Sequence, residues 1–228
     1  GQLGDATTTN KNTPTQIGAA TNWKHIGCGD YHSVSIKTDG TLWNWGANSS
    51  GQLGDGTTTN KLIPTQIGTA NNWATINGGA FHTLGIKLDG TLWGCGDNSS
   101  GQLGDGTTTS NSTIAQIGSA TNWKRVNCGA NHSCFIKTDY SNYATGQNLY
   151  GQLGDGTFTD KLNSTLIGSA CVIAPCTASI TIFSPFSSGV ICSGTNVPFS
   201  SSITNGGTSP SYQWQKNGAN VGTGLTTY

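Results

Sequence analysis

Glutamate and methionine are both missing from the 228-residue chain, and all ten acidic residues are aspartate. Glutamate is a strong helix former, so its loss beside abundant Thr, Asn, Ser and Gly points to turns and short strands rather than helices. Charge is scarce as well, with 9% charged residues and a formal net charge of zero. Lysine and aspartate are scattered singly, which leaves no electrostatic footprint for nucleic acid or an anionic membrane. No run approaches the ~20 apolar residues that a membrane-spanning helix needs. The chain has no initiator Met or signal peptide and opens inside a repeated unit, so it reads as a fragment of a longer precursor. A missing signal then says nothing against export.

What the chain does have is repetition. The stretch Gly51-Gln52-Leu53-Gly54-Asp55-Gly56-Thr57 recurs from Gly101 and Gly151 and, with Ala6 in place of the third Gly, from Gly1, each copy 50 residues after the last. A constant interval of that size marks an array in which each unit is one supersecondary block that needs neighbours to cover its apolar face. Trp23, Trp73 and Trp123 fall at one register, as do His32, His82 and His132, and Asn48, Asn98 and Asn148. The pairs Asp39-Gly40 and Asp89-Gly90 also coincide, each between an alternating apolar run and an aromatic-rich return. That pattern predicts a β-hairpin on a two-residue type I′ turn at the centre of every repeat.

In chain order, residues 13–17, which contain Pro14, read as an edge-tolerant extended piece, and residues 23–27 as the strand before the hairpin. The third repeat departs from the pattern: Tyr140 stands where the others have Gly, which predicts a different turn or a loosened hairpin. Position 28 holds Cys, position 78 Gly and position 128 Cys, the mark of a cramped site.

These residues resemble the repeat of the regulator of chromosome condensation family: CG or GG, then HS or HT, an alternating strand, DG, an aromatic pair near WG, Asn, and GQLGDGT. The resemblance covers residues 1–170. It implies an all-β chain whose repeats form a β-propeller of four-stranded antiparallel blades, here three blades plus a part. A family ring of seven units would need about 350 residues at this period, so the parent protein should carry more copies on the N-terminal side. From Cys171 the composition shifts to Ser, Thr, Pro and Gly, with strands expected at residues 179–183, 196–200 and 211–216. The text CSGTNVPFSS followed by YQWQKNGANVG looks like the first half of the immunoglobulin-like modules near the C-termini of secreted bacterial proteins, with Cys192 and Trp214 at strand-B and strand-C spacing. Residues 171–178 then form a linker, and 179–228 a truncated immunoglobulin-like β-sandwich.

The chemistry-bearing residues read as structural. His32, His82 and His132 sit at one register of successive blades, spread around an axis, whereas zinc demands nitrogens within ~2.1 Å. Hydrogen bonds to backbone within or between blades are the expectation for them. His25 is expected at the surface. Asp5, Asp55, Asp105 and Asp155 lack the oxygen-rich surroundings of a calcium loop and are expected to accept backbone N–H groups of their own turns. GQLGDGT lacks the lysine of a phosphate loop, and there is no G-x-S-x-G nucleophile elbow. Seven cysteines without a CxxC pair suggest neither zinc nor a redox motif. Cys28, Cys95, Cys128 and Cys134 are expected to be small buried thiols, and in an exported protein Cys171 and Cys176 could bridge.

With no catalytic set, cofactor or metal site in view, the reading is a non-catalytic secreted or cell-surface scaffold that binds a protein or glycan. The residues expected to carry that binding are ones that vary between otherwise similar repeats: Lys24, His25, Tyr31, Phe81, Arg125 and Asn131. Two alternatives stand beside it. The activity that the family is named for, guanine-nucleotide exchange on a small GTPase, relies on an inserted wedge, whereas the whole repeats here are equal in length. The other is an enzyme whose site lies in blades outside this sequence.

Overall fold

The computed structural model describes residues 1–167, 199–204, 211–216 and 219–220. Residues 1–170 form one compact unit and 171–228 another. The first unit holds three antiparallel four-stranded blades. Blade one is β1 (Trp23–Cys28), β2 (His32–Lys37), β3 (Leu42–Gly46) and β4 (Lys61–Gln66), in that order across the sheet. Blade two is β5 (Trp73–Gly78), β6 (His82–Lys87), β7 (Leu92–Gly96) and β8 (Asn111–Ile117). Blade three is β9 (Trp123–Cys128), β10 (His132–Lys137), β11 (Asn142–Gly146) and β12 (Lys161–Leu166). Each blade thus takes three strands from one repeat and its outer strand from the next, with the GQLGDGT stretch between. This is the all-β, partial-propeller architecture that the repeats imply.

Pro64 lies in β4, an outer strand with one flank unpaired, where a missing N–H is tolerated. The equivalent residues 11–16 form no strand, because no third strand lies beside them. The extended edge piece expected there is therefore unpaired.

The hairpin turns differ from the two-residue type I′ expectation. Gly40 N–H donates to Lys37 O at 2.9 Å and Lys37 N–H to Thr41 O at 3.0 Å, enclosing a three-residue loop, Thr38-Asp39-Gly40. Only Gly40 has positive φ, at 80°, while the Asp39 carboxylate accepts from Thr41 N–H and Thr41 hydroxyl. This is a type I turn closed by a left-handed residue. Tyr140 neither changes the turn nor loosens it. Tyr140 N–H donates to Lys137 O at 3.0 Å, and the ring-bearing residue takes φ 65°. The Asp139–Ser141 hydrogen bonds hold the turn in shape, and the backbone strain is borne at one residue.

The core lies between blades, not within them. Val34, Ile36 and Leu42 of blade one, with Ile67 just past β4, meet Trp73 and Ile76 of blade two. Leu84, Ile86, Leu92 and Ile117 of blade two meet Trp123, Val126 and Phe135 of blade three one junction later. Burying such a side chain is worth ~1.5–3 kcal/mol, so each blade depends on its neighbour. Trp73 and Trp123 are buried, whereas Trp23, at the same register but with no blade before it, is only half-buried.

In the second unit, β13 (Phe199–Thr204), β14 (Ser211–Lys216) and β15 (Ala219–Asn220) form an antiparallel sheet in that order. The strand expected at 211–216 coincides with β14, and the one expected at 196–200 overlaps β13 at residues 199–200, its first three residues lying outside the described ones. Residues 179–183, Cys171, Cys176 and Cys192 lie outside the described residues.

Two glycines separate backbone strain from crowding. At Gly68 (φ 62°) an added Cβ meets nothing within 4 Å, whereas at Gly90 (φ 79°) it would overlap the Thr121 carbonyl that leads into β9. Gly68→Ala should cost about 1–2 kcal/mol for the left-handed backbone alone. Gly90→Ala should cost about 1–3 kcal/mol more from overpacking. Urea denaturation of the two variants compares them directly, and equal losses would contradict this account.

Candidate functional site

The repeated histidines bridge one blade to the next. His32 Nε2 lies 2.8 Å from Thr83 Oγ1, and His82 Nε2 lies 2.9 Å from Ser133 Oγ. Each hydroxyl spends its one hydrogen on a main-chain carbonyl, Thr83 on Gln52 O at 2.7 Å and Ser133 on Gln102 O at 2.8 Å. The hydroxyl must then accept from the imidazole, which places the ring proton on Nε2. The partner is a side-chain hydroxyl rather than the backbone group that the sequence suggested. Burial pushes His32 down to about 4 and His82 to about 3. His132, with no following blade beside it, is half-buried and lowered by the same cause. The ring also explains the glycine before it: a Cβ at Gly29, Gly79 or Gly129 would run into Nδ1 and Cε1 of the histidine three residues on.

The GQLGDGT stretch is a hook. Asn48 shapes it from inside, accepting from Leu53 N–H at 2.9 Å and donating to Asp55 Oδ1 at 3.1 Å and Thr57 O at 3.0 Å. Asp55 Oδ1 accepts from Thr57 N–H at 2.9 Å, and Asp55 Oδ2 pairs with Lys61 at 3.1 Å. Burial raises the Asp55 carboxyl, but these bonds outweigh it and hold the group below its ordinary value. The hook then reaches the neighbouring blade, where Gly56 N–H donates to Ser112 O at 2.9 Å and Ile114 N–H to Gly54 O at 3.2 Å. Gly106 N–H repeats the contact on Leu162 O at 2.9 Å, and Ala6 N–H, at the position where later copies have Gly, on Leu62 O at 3.0 Å. Gln52, Leu53, Gly51 and Gly54 are all buried within this arrangement.

The residues expected to contact a partner separate into two groups. Tyr31, Phe81 and Asn131 stand on successive β1–β2-type turns, which are hydrogen-bonded blade to blade through Asp30 N–H to Gly79 O at 3.3 Å and Ala80 N–H to Ala130 O at 3.1 Å. The rings of Tyr31 and Phe81 stack across that boundary with centroids 5.3 Å apart and planes at 21°. Tyr31 is 49% exposed. Lys24, His25 and Arg125 lie near the opposite ends of β1 and β9. Lys24 and Arg125 are exposed, but His25 is half-buried and its Nε2 sits 2.8 Å from Ile76 O of the next blade. The surface position expected for His25 is therefore incorrect, since its ring serves the junction. One pair escaped the reading of singly scattered charges: Lys124 and Arg125 are adjacent and stand beside Tyr140.

The thiols also differ with position. Cys95 is buried and Cys128 and Cys134 partly so, but Cys28 is exposed because no blade covers the outer face of β1. Burial pushes Cys128 up to about 12 and raises Cys95 and Cys134, which keeps these thiols unreactive. A hollow beside residues 11–17 and another lined by Leu92, Ile117, Trp123 and Asn163 each contain a single ionisable side chain, Lys11 and Asp105 respectively.

This combination of repeat, hook and bridging histidine is matched by the family model for the regulator of chromosome condensation (RCC1) repeat, over residues 1–36, 39–86 and 89–136. A second model of the same repeat matches 23–52 and 73–102. The chain belongs to the RCC1 repeat family. Among solved structures it is similar to Prp20p of Saccharomyces cerevisiae, with 22% identity, a TM-score of 0.60, and coverage of 66% of this chain and 39% of that one. Human WBSCR16 is similar at 19% identity and a TM-score of 0.64, with 73% and 44% covered. At these identities the likeness is one of fold, and the chain spans less than half the length of these relatives. No curated protein sequence matches it.

The buried histidines set a pH dependence. Their folded values lie below the ordinary 6.5, so the unfolded chain takes up protons that the folded one refuses as pH falls. Stability is fully present above pH 6.5 and is lost on acidification toward 4, by up to about 1.4 kcal/mol per pH unit for each group. Carboxylates held low, such as Asp155, add their loss only at more acid pH. His82→Gln should be less stable than the parent at pH 7 yet lose less on going from pH 7 to 4. Urea titrations at both pH values would show unchanged pH sensitivity if the histidine were not involved.

Proposed function

We propose that the chain is a non-catalytic binding scaffold whose rim of β1–β2-type turns docks a protein or glycan. The observation that carries this reading is the Tyr31–Phe81 stack, in which Tyr31 is exposed and Phe81 half-buried. The repeated polar groups are engaged in holding blades together, whereas this pair varies along the array and meets solvent. Stacked aromatic faces offer large contact area at little entropic cost, which suits recognition. Prp20p, described with binding properties to Gsp1p and histones, supports the general idea that such propellers serve as binding platforms.

A secreted or cell-surface location is part of the proposal. Its support is the Ser-, Thr-, Pro- and Gly-rich stretch from 171 onward and the antiparallel sheet that carries Trp214 in its central strand, features that fit an immunoglobulin-like appendage. Among the described residues no helix is long and apolar enough to cross a membrane. Guanine-nucleotide exchange is the second reading, favoured by the fold likeness to Prp20p, and the equal 50-residue repeats without an inserted wedge weigh against it.

Screening the full chain against arrays of surface proteins and glycans, alongside a Tyr31→Ser/Phe81→Ser variant, tests the rim. Binding should fall at least tenfold in the variant with its melting temperature little changed. Undiminished binding would remove the rim from consideration, and stimulated nucleotide release from a small GTPase would favour exchange.

A further inference from the structure

The turn after β7 encloses a carboxylate that the same turn after β3 does without. Asp97 Oδ1 accepts from Ser99 N–H at 3.2 Å and Ser110 hydroxyl at 3.3 Å, and Asp97 Oδ2 accepts from Ser99 hydroxyl at 3.0 Å and Gln102 Nε2 at 2.7 Å. The equivalent residue 50 positions earlier is Ala47. The frame around it is otherwise kept. Ala47 N–H donates to Tyr31 O and Asp97 N–H to Phe81 O, each at 2.8 Å. Ser50 N–H donates to Gln52 Oε1 and Ser100 N–H to Gln102 Oε1, each at 2.9 Å, so the two amides are anchored alike.

The donors that surround Asp97 are therefore repeated around Ala47. Gln102 Nε2 meets the carboxylate, whereas Gln52 is fully buried and its Nε2 has no hydrogen-bond partner among the described residues. Ser49 repeats the N–H and hydroxyl of Ser99. Asn60 stands at the position of Ser110 and accepts from Asn48 N–H through Oδ1 at 2.8 Å, which leaves Nδ2 as a further donor. A buried donor without an acceptor is costly, because it has given up water and gained nothing in return. Solvent reaches the two turns alike: Ala47 and Asp97 are half-buried, Ser49 and Ser99 exposed, although Asp97 belongs to the blade with a described neighbour on either side. The opening thus belongs to the turn itself. Blade three breaks the set with Gln147 and Leu149.

We propose that Ser49, Gln52 and Asn60 form a carboxylate-binding site over Ala47, which takes a small free acid such as acetate or the carboxylate end of a partner's acidic side chain. The two oxygens of one carboxylate can accept from the main-chain N–H, the hydroxyl and the amides as those of Asp97 do, with the stem entering from solvent instead of from the main chain. A spherical anion such as chloride offers no such pair of acceptors. The site goes beyond the scaffold reading and does not depend on it, since acetate binding needs no macromolecular partner.

The test is amide NMR of the full chain titrated with sodium acetate, with sodium chloride at matched ionic strength as the control and N-acetylaspartate methylamide as the model of a partner's side chain. The Ser49 backbone amide and the Gln52 side-chain amide should move saturably with acetate and not with chloride. Ala47→Asp supplies the carboxylate from within the chain, so it should abolish those shifts and raise the melting temperature by about 2–4 °C. Asp97→Ala is the converse: it should lower the melting temperature, regain more stability in acetate than the parent does, and acquire acetate shifts at Ser99 and Gln102. Shifts with acetate alone assign the site to free acids, and matching shifts with the aspartate model assign it to a partner's side chain. No saturable shift at Ser49 and Gln52, equal shifts with chloride, or unchanged acetate binding in Ala47→Asp would overturn the site, and none of these results bears on whether Tyr31 and Phe81 dock a partner.

Discussion

One contact organises the molecule: a buried imidazole on blade one, and again on blade two, gives its Nε2 proton to a hydroxyl on the next blade, and that hydroxyl passes its own to a carbonyl of the intervening hook. The chain of donors runs in one direction, so it works only if the hydroxyl of blade two and the Gln52 carbonyl arrive together. Histidine is suited to the task because a neutral ring carries one donor and enough apolar surface to lie against glycine. Serine and threonine are interchangeable at the receiving position, as Thr83 and Ser133 show, because only the hydroxyl is used. In a water-excluded junction an unmatched partner would leave a buried polar group at a cost of ~1–3 kcal/mol. The register of the 50-residue repeat is therefore held by polar matching, while the apolar clusters on either side supply most of the driving force.

The same logic explains why glycine is so abundant. Gly29 and Gly79 are kept small by the histidine ring, whereas Gly40 and Gly90 combine a left-handed backbone with a seat against a neighbouring carbonyl. Gly51 and Gly54 let the hook's main chain lie directly on the next blade, because a Cβ there would run into Ser112 and Cys95. Stability in such an array is approximately a sum of unit terms and nearest-neighbour interfaces. Here the interface terms dominate, because the buried clusters straddle the junctions.

Much of this was legible in the sequence. The 50-residue interval, the hairpin at its centre and the turn-forming role of Asp55 all follow from residue types whose local chemistry is nearly context-free. The turn type was not, since the choice between two- and three-residue loops depends on where the ladder bonds close, and Lys37 with Thr41 settles that in space. His25 was misplaced for a related reason. Its sequence neighbours are polar, but its acceptor is Ile76 O, which lies 51 residues away and becomes visible only when blades are side by side. The assignment of strands to blades was also out of reach, because the outer strand belongs to the following repeat. Which of the candidate binding residues share a surface required coordinates: Tyr31 stacks with Phe81, and Lys124, which was not among them, stands beside Tyr140.

Position in the array matters as much as residue identity. Trp23 and Trp73 are equivalent in sequence, but only the second has a blade packed over it; Cys28 and Cys128 differ in the same way. A repeat protein can free a residue from structural duty at an end without altering the unit, and substitutions that would be unacceptable at an internal junction then become permissible. At Gly40 or Gly90 a side chain would run into the neighbouring carbonyl, whereas Tyr140 is carried on its turn at φ 65°.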